Sequence, residues 1–508
     1  MRQSGEAMKM KSAVSVLLVF ALVCINSGCH TTRTVKSHIP KNPGDLMIEK
    51  IVGVTTVKGE EISFDEPGGR LVQKAIEAKV NKESRSFPLS DIQHVWLVKQ
   101  KLTTGAKVAI VSGVAIAAIV AVTAIALAQT RPSSNSSCPF IYSWDGSQFV
   151  LDGEPYGGAI ARGLAREDWS ELKHIRDVNG EYRVLMTNEA DETQHTDLAE
   201  LWVADHPAGV RVVANENGKL IGLSNIQPPV NAQDKIGRDI TQWLVAKDRR
   251  IWEPEPAPDA DGSLQNQIVL TFPKPADASE AWLVSNTATG TWGSLMIKQM
   301  VSLLGRDANR WLDSLGNSRR VASVYRWAER EETLRLKVDV EESSGWRTGG
   351  ALFGGGPIVA EDRALPLDVR RVPGNRLRIR LRPPVGFWAL NSFGISYNSA
   401  GPVPFTRLAA QSALTSDGID VAKQLASKEG VYYSMPEIGN AAGLLFKAPP
   451  RQSAMERTVF LHTAGWYQLH FEAGGDPDQR AFNEVLNTPG STARFTASQY
   501  EAWKHANR

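Results

Sequence analysis

The chain has 508 residues, of which 42% are hydrophobic and 22% charged, with a formal net charge of +2. That length predicts roughly two to four domains, and a near-neutral balance without a lysine or arginine run argues against a nucleic-acid partner. Only Cys138 of the three cysteines lies in the main body, so no disulfide framework holds that body and buried apolar surface must.

Lys9 and Lys11 precede an apolar run over residues 13–25, and Ile25-Asn26-Ser27-Gly28-Cys29 follows. Residues 1–28 resemble a bacterial lipoprotein signal, in which a small residue precedes the cysteine that receives lipid. The resemblance implies lipidation of Cys29 and a mature N-terminus there. Asn26 departs from the aliphatic residue this signal usually carries three positions before the cysteine, and an uncleaved signal anchor is the alternative. Residues 29–45, polar and carrying Pro40 and Pro43, read as a tether.

Strand signals fill residues 46–101. Ile51, Val52, Val54, Thr55, Thr56 and Val57 are β-branched, Lys58-Gly59 offers a turn, and Ile62 and Phe64 alternate on a return strand. His94 to Val98 reads as a last strand, with His94 and Trp96 packed or half-exposed. The pattern resembles small SH3-like or Sm-like β modules.

Residues 108–128 carry no charge over twenty-one positions, matching the ~20 apolar residues a membrane-crossing helix needs. A transmembrane helix is expected over 105–128, with a buried helix of a soluble domain as the alternative. Gly105, Ala109, Gly113 and Ala117 recur every fourth position, a spacing that lets two helices approach closely and self-associate. Topology is in tension here. A lipidated Cys29 outside the inner membrane followed by a spanning helix would leave the C-terminal body inside. Lys99, Lys101 and Lys107 before the helix, against Arg131 behind it, favour the reverse. An extracytoplasmic body, membrane-anchored at the bacterial cell envelope, is the reading carried forward.

Residues 129–137 form a polar linker. From 138 to 275 an antiparallel β domain is expected, because Asp145-Gly146, Asn179-Gly180, Asn217-Gly218 and Asp261-Gly262 are hairpin turns suited to the type I′ form. Residues 276–405 combine a helical insertion with a jelly-roll-like β domain. Trp292, Leu295, Met296, Val301 and Leu304 share a helical face. Trp311, Leu312 and Leu315 continue that spacing, and Val321, Val324, Tyr325 and Ala328 mark a further helix. Leu334, Leu336, Val338 and Val340, then Leu377, Ile379 and Leu381, alternate as half-buried strands do. Residues 406–508 predict a short helix over 421–427, a hairpin about Ala464-Gly465 and a terminal helix over 497–506. The fold class is therefore mainly β: a small module, one apolar helix, then antiparallel sandwich or jelly-roll domains.

Residues 138–146 (CPFIYSWDG), 153–160 (GEPYGGAI) and 187–207 resemble a family of bacterial envelope proteins. Members combine a lipoprotein-like signal, a small β module, an apolar segment and a CPF-initiated β domain. The C-terminal part is also similar to jelly-roll domains of extracytoplasmic repeat proteins. Neither resemblance carries an activity, so no catalytic residue is transferred.

No motif yields a catalytic, cofactor or metal site. His195 and Asp197, with Glu189, Asp191 and Glu192, read as a solvated loop. Asp259, Asp261, Gly262 and Ser263 open like a calcium loop, but Leu270 stands where a bidentate glutamate is required. Residues 349–356, rich in glycine, lack the Lys-Ser/Thr of a phosphate loop and read as a flexible surface loop. Cys138 is read as a buried strand start and the arginines from Arg376 to Arg382 as a solvated or edge-protecting row. Trp346, Trp388 and Tyr397, with Phe353 and Phe387, could stack on a sugar or fill a sandwich core. The expected function is a non-catalytic envelope scaffold or binding module for an envelope protein or polysaccharide. The alternative is a carbohydrate-binding or carbohydrate-active protein using the jelly-roll.

Overall fold

The computed structural model describes residues 30–38, 51–65, 68–72, 75–102, 138–248, 250–253, 264–471 and 474–506. The signal segment, Cys29, the apolar run with Gly105, Ala109, Gly113 and Ala117, and the Asp259–Ser263 stretch lie outside these residues. Among the described residues no helix is long and apolar enough to cross a membrane. The chain divides into two compact units, Met1–Ala115 and Ile116–Arg508.

The first unit is a small antiparallel β module. One sheet runs in the order His30–His38, Ile92–Leu102, Ile51–Thr56, Glu61–Ser63, and a second joins Arg70–Val72, Ala75–Val80 and Glu83–Pro88. The span read as a tether thus contributes a strand. Thr31, Thr32, Thr34 and Val35 give it β-branched character, and it pairs in register from His30 opposite Leu102 to His38 opposite His94. Gly59 turns at φ +84° as expected. A second turn, Asn81-Lys82, takes positive φ at both residues without any glycine, helped by Asp65, whose Oδ2 accepts the Lys82 N–H at 2.7 Å. Ile51, Val54, Ile76, Ile92, Val95 and Leu97 form the core. Gly53 lies under the Trp96 ring, where a Cβ would come within 2.5 Å.

The second unit is mainly β with sandwich-like antiparallel packing. One sheet orders Arg166–Glu171, Glu456–Leu469, Glu192–His206 and Thr406–Ala409, with Tyr433–Met435 also on Glu192–His206. The other orders Ser412–Thr415, Ala441–Lys447, Glu181–Thr187, Phe140–Trp144 and Phe149–Gly153. Alternate residues of both, among them Val184, Met186, Leu201, Val203, Leu444 and Leu461, meet in one core. The span 406–508 therefore does not stand apart from 138–275: its longest strand is central to the earlier sheet. Nor do residues 456–469 form a hairpin. Ala464-Gly465 lies within a single 14-residue strand. Gly465 is needed for close approach, since a Cβ there would come within 2.3 Å of the His195 carbonyl and 3.0 Å of the Tyr156 ring. Residues 421–427 are a turn rather than a helix, because Ala426 bridges Leu198 where the long strand shifts register.

The intervening chain builds three further sheets and a helical layer. Asn231–Asp234, Ile268–Pro273, Arg376–Leu381, Arg335–Glu342 and Gly345–Phe353 form the largest; Glu361–Asp368, Glu280–Ala288 and Ala389–Ser396 form another; Arg211–Ala214, Leu220–Ser224 and Asn398–Pro402 a third. The expected alternation holds, with Leu336, Val338, Val340, Leu377, Ile379 and Leu381 all buried. Helices Thr291–Ser302, Ala308–Asp313 and Ser318–Glu331 fall where the apolar spacing placed them, and join Gln479–Asn487 and Ser491–Ala506. Asn317 caps Ser318–Glu331 by accepting the Arg319 N–H at 2.9 Å. That helix faces inward through Val324, Trp327 and Ala328, while Tyr325 is 48% exposed; Trp327 is fixed by an indole N–H donated to Thr492 Oγ1 at 2.9 Å.

The turns differ in detail. Asn179-Gly180 takes positive φ at both residues, as a type I′ turn requires. Asp145-Gly146 opens a four-residue loop between Trp144 and Phe149, with positive φ at Gly146 alone. Asp145 Oδ1 accepts the backbone N–H of Ser147 at 2.7 Å and Gln148 at 2.8 Å, which stabilises this wider loop.

Candidate functional site

The aromatic residues named from the sequence do not converge. Trp388 is 1% exposed and donates its indole N–H to the Glu332 carbonyl at 2.8 Å, a core position. Trp346 is half-buried under the guanidinium groups of Arg380 (4.6 Å) and Arg378 (5.7 Å). Tyr397 donates its hydroxyl to the Pro273 carbonyl at 2.8 Å. Three members of the arginine row are ion-paired: Arg378 with Glu341 (2.7 Å), Arg380 with Asp339 (2.8 Å) and Arg382 with Glu332 (3.2 Å).

His195 and its neighbours form no solvated loop. Glu192, His195 and Asp197 begin the strand Glu192–His206, while Glu189 and the exposed Asp191 lie in the short bend before it. His195 stacks on Trp466 at 4.1 Å and lies 2.8 Å from Ser434 Oγ, and burial, with the charge of Arg162, lowers its pKa. Glu189 accepts the Tyr142 hydroxyl at 2.5 Å. Glu192 accepts the Cys138 N–H at 2.8 Å and the Gln194 amide at 2.9 Å, and burial pushes its carboxyl up to about 8. Tyr156 hydrogen-bonds Thr196 at 2.6 Å. The three stretches that carried the family resemblance thus meet one another in the interior. Cys138 is buried there at φ +97°.

The glycine-rich stretch is strand and close-packed turn, not a flexible loop. Gly349 and Gly350 belong to Gly345–Phe353, and Gly354, Gly355 and Gly356 are buried. A Cβ on Gly356 would come within 2.2 Å of Glu154 Cβ, and one on Gly157 within 2.3 Å of the Gly355 carbonyl. Glu154 Oε2 accepts the N–H groups of Ile358 and Val359, both at 2.6 Å.

Beside this knot runs a seam of buried charge that the sequence did not reveal. Strand Glu361–Asp368 presents Glu361 and Arg363 towards Arg166–Glu171. Arg363 bonds both Asp168 and Glu361; Asp168 also takes Arg166 Nη2 at 3.0 Å and the N–H of Trp169 at 2.9 Å. Burial works against the Asp168 charge, but Arg166 and Arg363 hold its pKa low. Glu361, with Ser170 Oγ at 2.6 Å as its other donor, is raised by burial. Asp362 points the other way, to Lys247, to Arg211 at 2.5 Å and to Asn286 at 2.7 Å. Against burial, those two cations bring it down to about 2.

A third cluster centres on His462, which lies 2.9 Å from Glu200 through Nδ1 and 2.8 Å from Glu167 through Nε2. Its ring stacks on Trp169 at 5.1 Å. Both nitrogens face carboxylates of the fold, which leaves neither for a substrate or metal. Among the described residues no group of three or more His, Cys, Asp or Glu is arranged to hold a metal ion.

One open feature is a cleft of about 350 Å³ lined by Arg238, Asp239, Ile240, Trp243, Ile251, Trp252 and Glu253. The turn after Asn231–Asp234 shapes one wall: Asp234 Oδ1 accepts the Arg238 N–H at 2.9 Å and its Oδ2 pairs with Arg238 Nε at 2.6 Å. Asp239 accepts the Thr241 N–H at 2.9 Å, and Thr241 Oγ1 accepts the Ala232 N–H at 2.7 Å. Thr241 lowers the Asp239 pKa through its hydroxyl and then its N–H. Trp252 packs on the core and is bridged to Leu390 by N–H···O contacts of 2.8 and 3.0 Å. Trp243 is 38% and Ile251 37% exposed. Glu253 has no charge partner among the described residues, and the cleft walls raise its carboxyl by burial alone. No period marks this segment in sequence; the spacing of two tryptophans among mixed charges was the available signal.

No protein-family model matches this chain, and no curated protein matches it, so the resemblance to envelope proteins rests on the motif residues themselves.

Proposed function

We propose that this protein is an envelope lipoprotein, held at a membrane through Cys29 and the apolar segment, whose large β body serves as a scaffold or binding module outside the cytoplasm. Self-association through Gly105, Ala109, Gly113 and Ala117 belongs to the same reading. The binding role is supported by one contrast. The acid and base groups that could be mistaken for catalytic machinery have partners within the fold, Arg363 with Asp168 and Glu361, and His462 with Glu167 and Glu200, whereas Trp243 stands open in a cleft with Glu253. Large aromatic surfaces of that kind are typical anchors for ligands.

Cys29→Ser tests the anchor. Labelled palmitate should mark the wild-type protein and not the variant, whose precursor should stay unprocessed at that site. Equal labelling of both proteins removes the lipoprotein reading.

A further inference from the structure

We infer that the Trp243–Trp252 cleft binds a neutral saccharide chain, one pyranose ring stacking on Trp243 with its hydroxyls bonded by the carboxylates and guanidinium of the lining. This rests on the binding-module reading and adds a site and a ligand class to it.

Size is the first argument. The cleft, at about 350 Å³, sits at the lower end of the ~300–1,000 Å³ range of ligand sites, which suits one or two sugar rings better than a folded protein. Its aromatic surface is the second. Neither Trp243 nor Trp252 contacts another ring among the described residues, so no stacking partner within the fold occupies the exposed face of Trp243. Trp252 is fixed by its backbone bridge to Leu390. The third is the balance of polar groups. Sugar hydroxyls both donate and accept, and here Asp239 and Glu253 can accept while Arg238, paired with Asp234, brings its guanidinium to the same lining. A polyanion would meet Glu253, which carries no counter-charge, and Asp239. A quaternary ammonium would use only the two carboxylates and leave the Arg238 guanidinium, paired with Asp234, without a role. A neutral pyranose uses the whole lining.

Two neutral polymers share this chemistry, a chain of N-acetylglucosamine and an exported glucan. Full-length protein in mild detergent would be run through gels containing soluble neutral glucans and titrated calorimetrically with N-acetylglucosamine oligomers, which separates the two. At least one should bind. Trp243→Ala should weaken that binding about tenfold or more, with the circular dichroism spectrum of the folded protein retained at the assay temperature. Trp243→Phe should retain part of it, and Glu253→Gln should weaken it about threefold or more. Trp346→Ala, on the strand Gly345–Phe353 and outside the cleft lining, should bind as wild type does. Failure of every saccharide to bind, or full binding by Trp243→Ala, overturns the inference; if palmitate labelling of Cys29 is intact in that case, the anchored-module reading survives. Fluorescence quenching by tetramethylammonium instead of saccharide would make the cleft a cation cage and also overturn it. Release of reducing ends, abolished by Glu253→Gln, would make the cleft catalytic and refute both readings.

Discussion

Glu192 offers the most direct test of how the interior is built. It starts the long central strand with 1% of its surface exposed, and its two bonded donors are neutral, the Cys138 N–H and the Gln194 amide. Burial therefore dominates and raises its pKa from 4.5 to about 8. The folded protein then holds a proton that the unfolded chain has lost across that interval. Stability from this group is fully present below the unfolded pKa and is lost as pH rises through the folded one. At about 1.4 kcal/mol per pH unit, the span limits the loss to about 5 kcal/mol, and relaxation around the ionised group should reduce it to about 2–3 kcal/mol. Glu192→Gln keeps the shape and cannot ionise. Urea unfolding of the full-length protein in detergent, followed by tryptophan fluorescence at about pH 5 and about pH 8.5, should show the variant gaining on the wild type by that amount. A gap between the two proteins that does not change with pH would show that Glu192 is ionised when folded and would refute this reasoning.

The charged seam and the core make separate demands. Arg363→Met leaves Asp168 and Glu361 buried without their shared cation and should cost about 3–5 kcal/mol, measured by the same unfolding assay; neutralising both acids in addition should recover part of it, and no recovery would show that the ion network is not the cause. Trp388→Ala, which empties a core site and frees the Glu332 carbonyl, should cost about 3–5 kcal/mol, and a variant as stable as wild type would contradict the core placement.

What the sequence revealed and what it hid follow from the range of the signals. Leu336, Val338 and Val340, and Leu377, Ile379 and Leu381, sit on strands with one face inward, so a period of two was enough to find them. Asn179-Gly180 was legible because its turn needs nothing beyond two residues. Strand Glu361–Asp368 was not, because its charged start is buried on both faces and its acids and arginine have partners far away in the chain; Asp168 and Arg363 are 195 residues apart. Alternation assigns such residues to solvent, and only the fold shows where they pair. Gly465 misled in the opposite direction. A glycine after alanine between two apolar runs looks like a turn, but its role is to admit Tyr156 and the neighbouring strand. Asn81-Lys82 shows a turn made without glycine, supported by the distant acceptor Asp65. The cleft is illegible for a further reason: its lining comes from short, separate pieces, residues 238–240, the single helical turn Thr241–Leu244 and residues 251–253, which no period describes.

That segment is nonetheless tied to the neighbouring sheets. Lys247, between the two cleft tryptophans in sequence, reaches Asp362, and Asp362 also holds Arg211, which in turn bonds Glu171 at 2.6 Å. Glu171 belongs to the first sandwich and Asp362 to the inserted body, so one carboxylate links the joint between them to the chain that forms the cleft. At the other end Trp252 pairs with Leu390, whose strand lies beside Glu280–Ala288. A loop fixed at both ends has little ordering left to lose when a ligand arrives, and preorganisation of that kind favours binding. On the proposed reading the Lys247–Asp362 pair and the Trp252–Leu390 bridge serve recognition without touching the ligand, by restraining the chain that carries the two tryptophans. This also explains why a seam of ion pairs, weak evidence for stability by itself, runs so close to an open aromatic cleft.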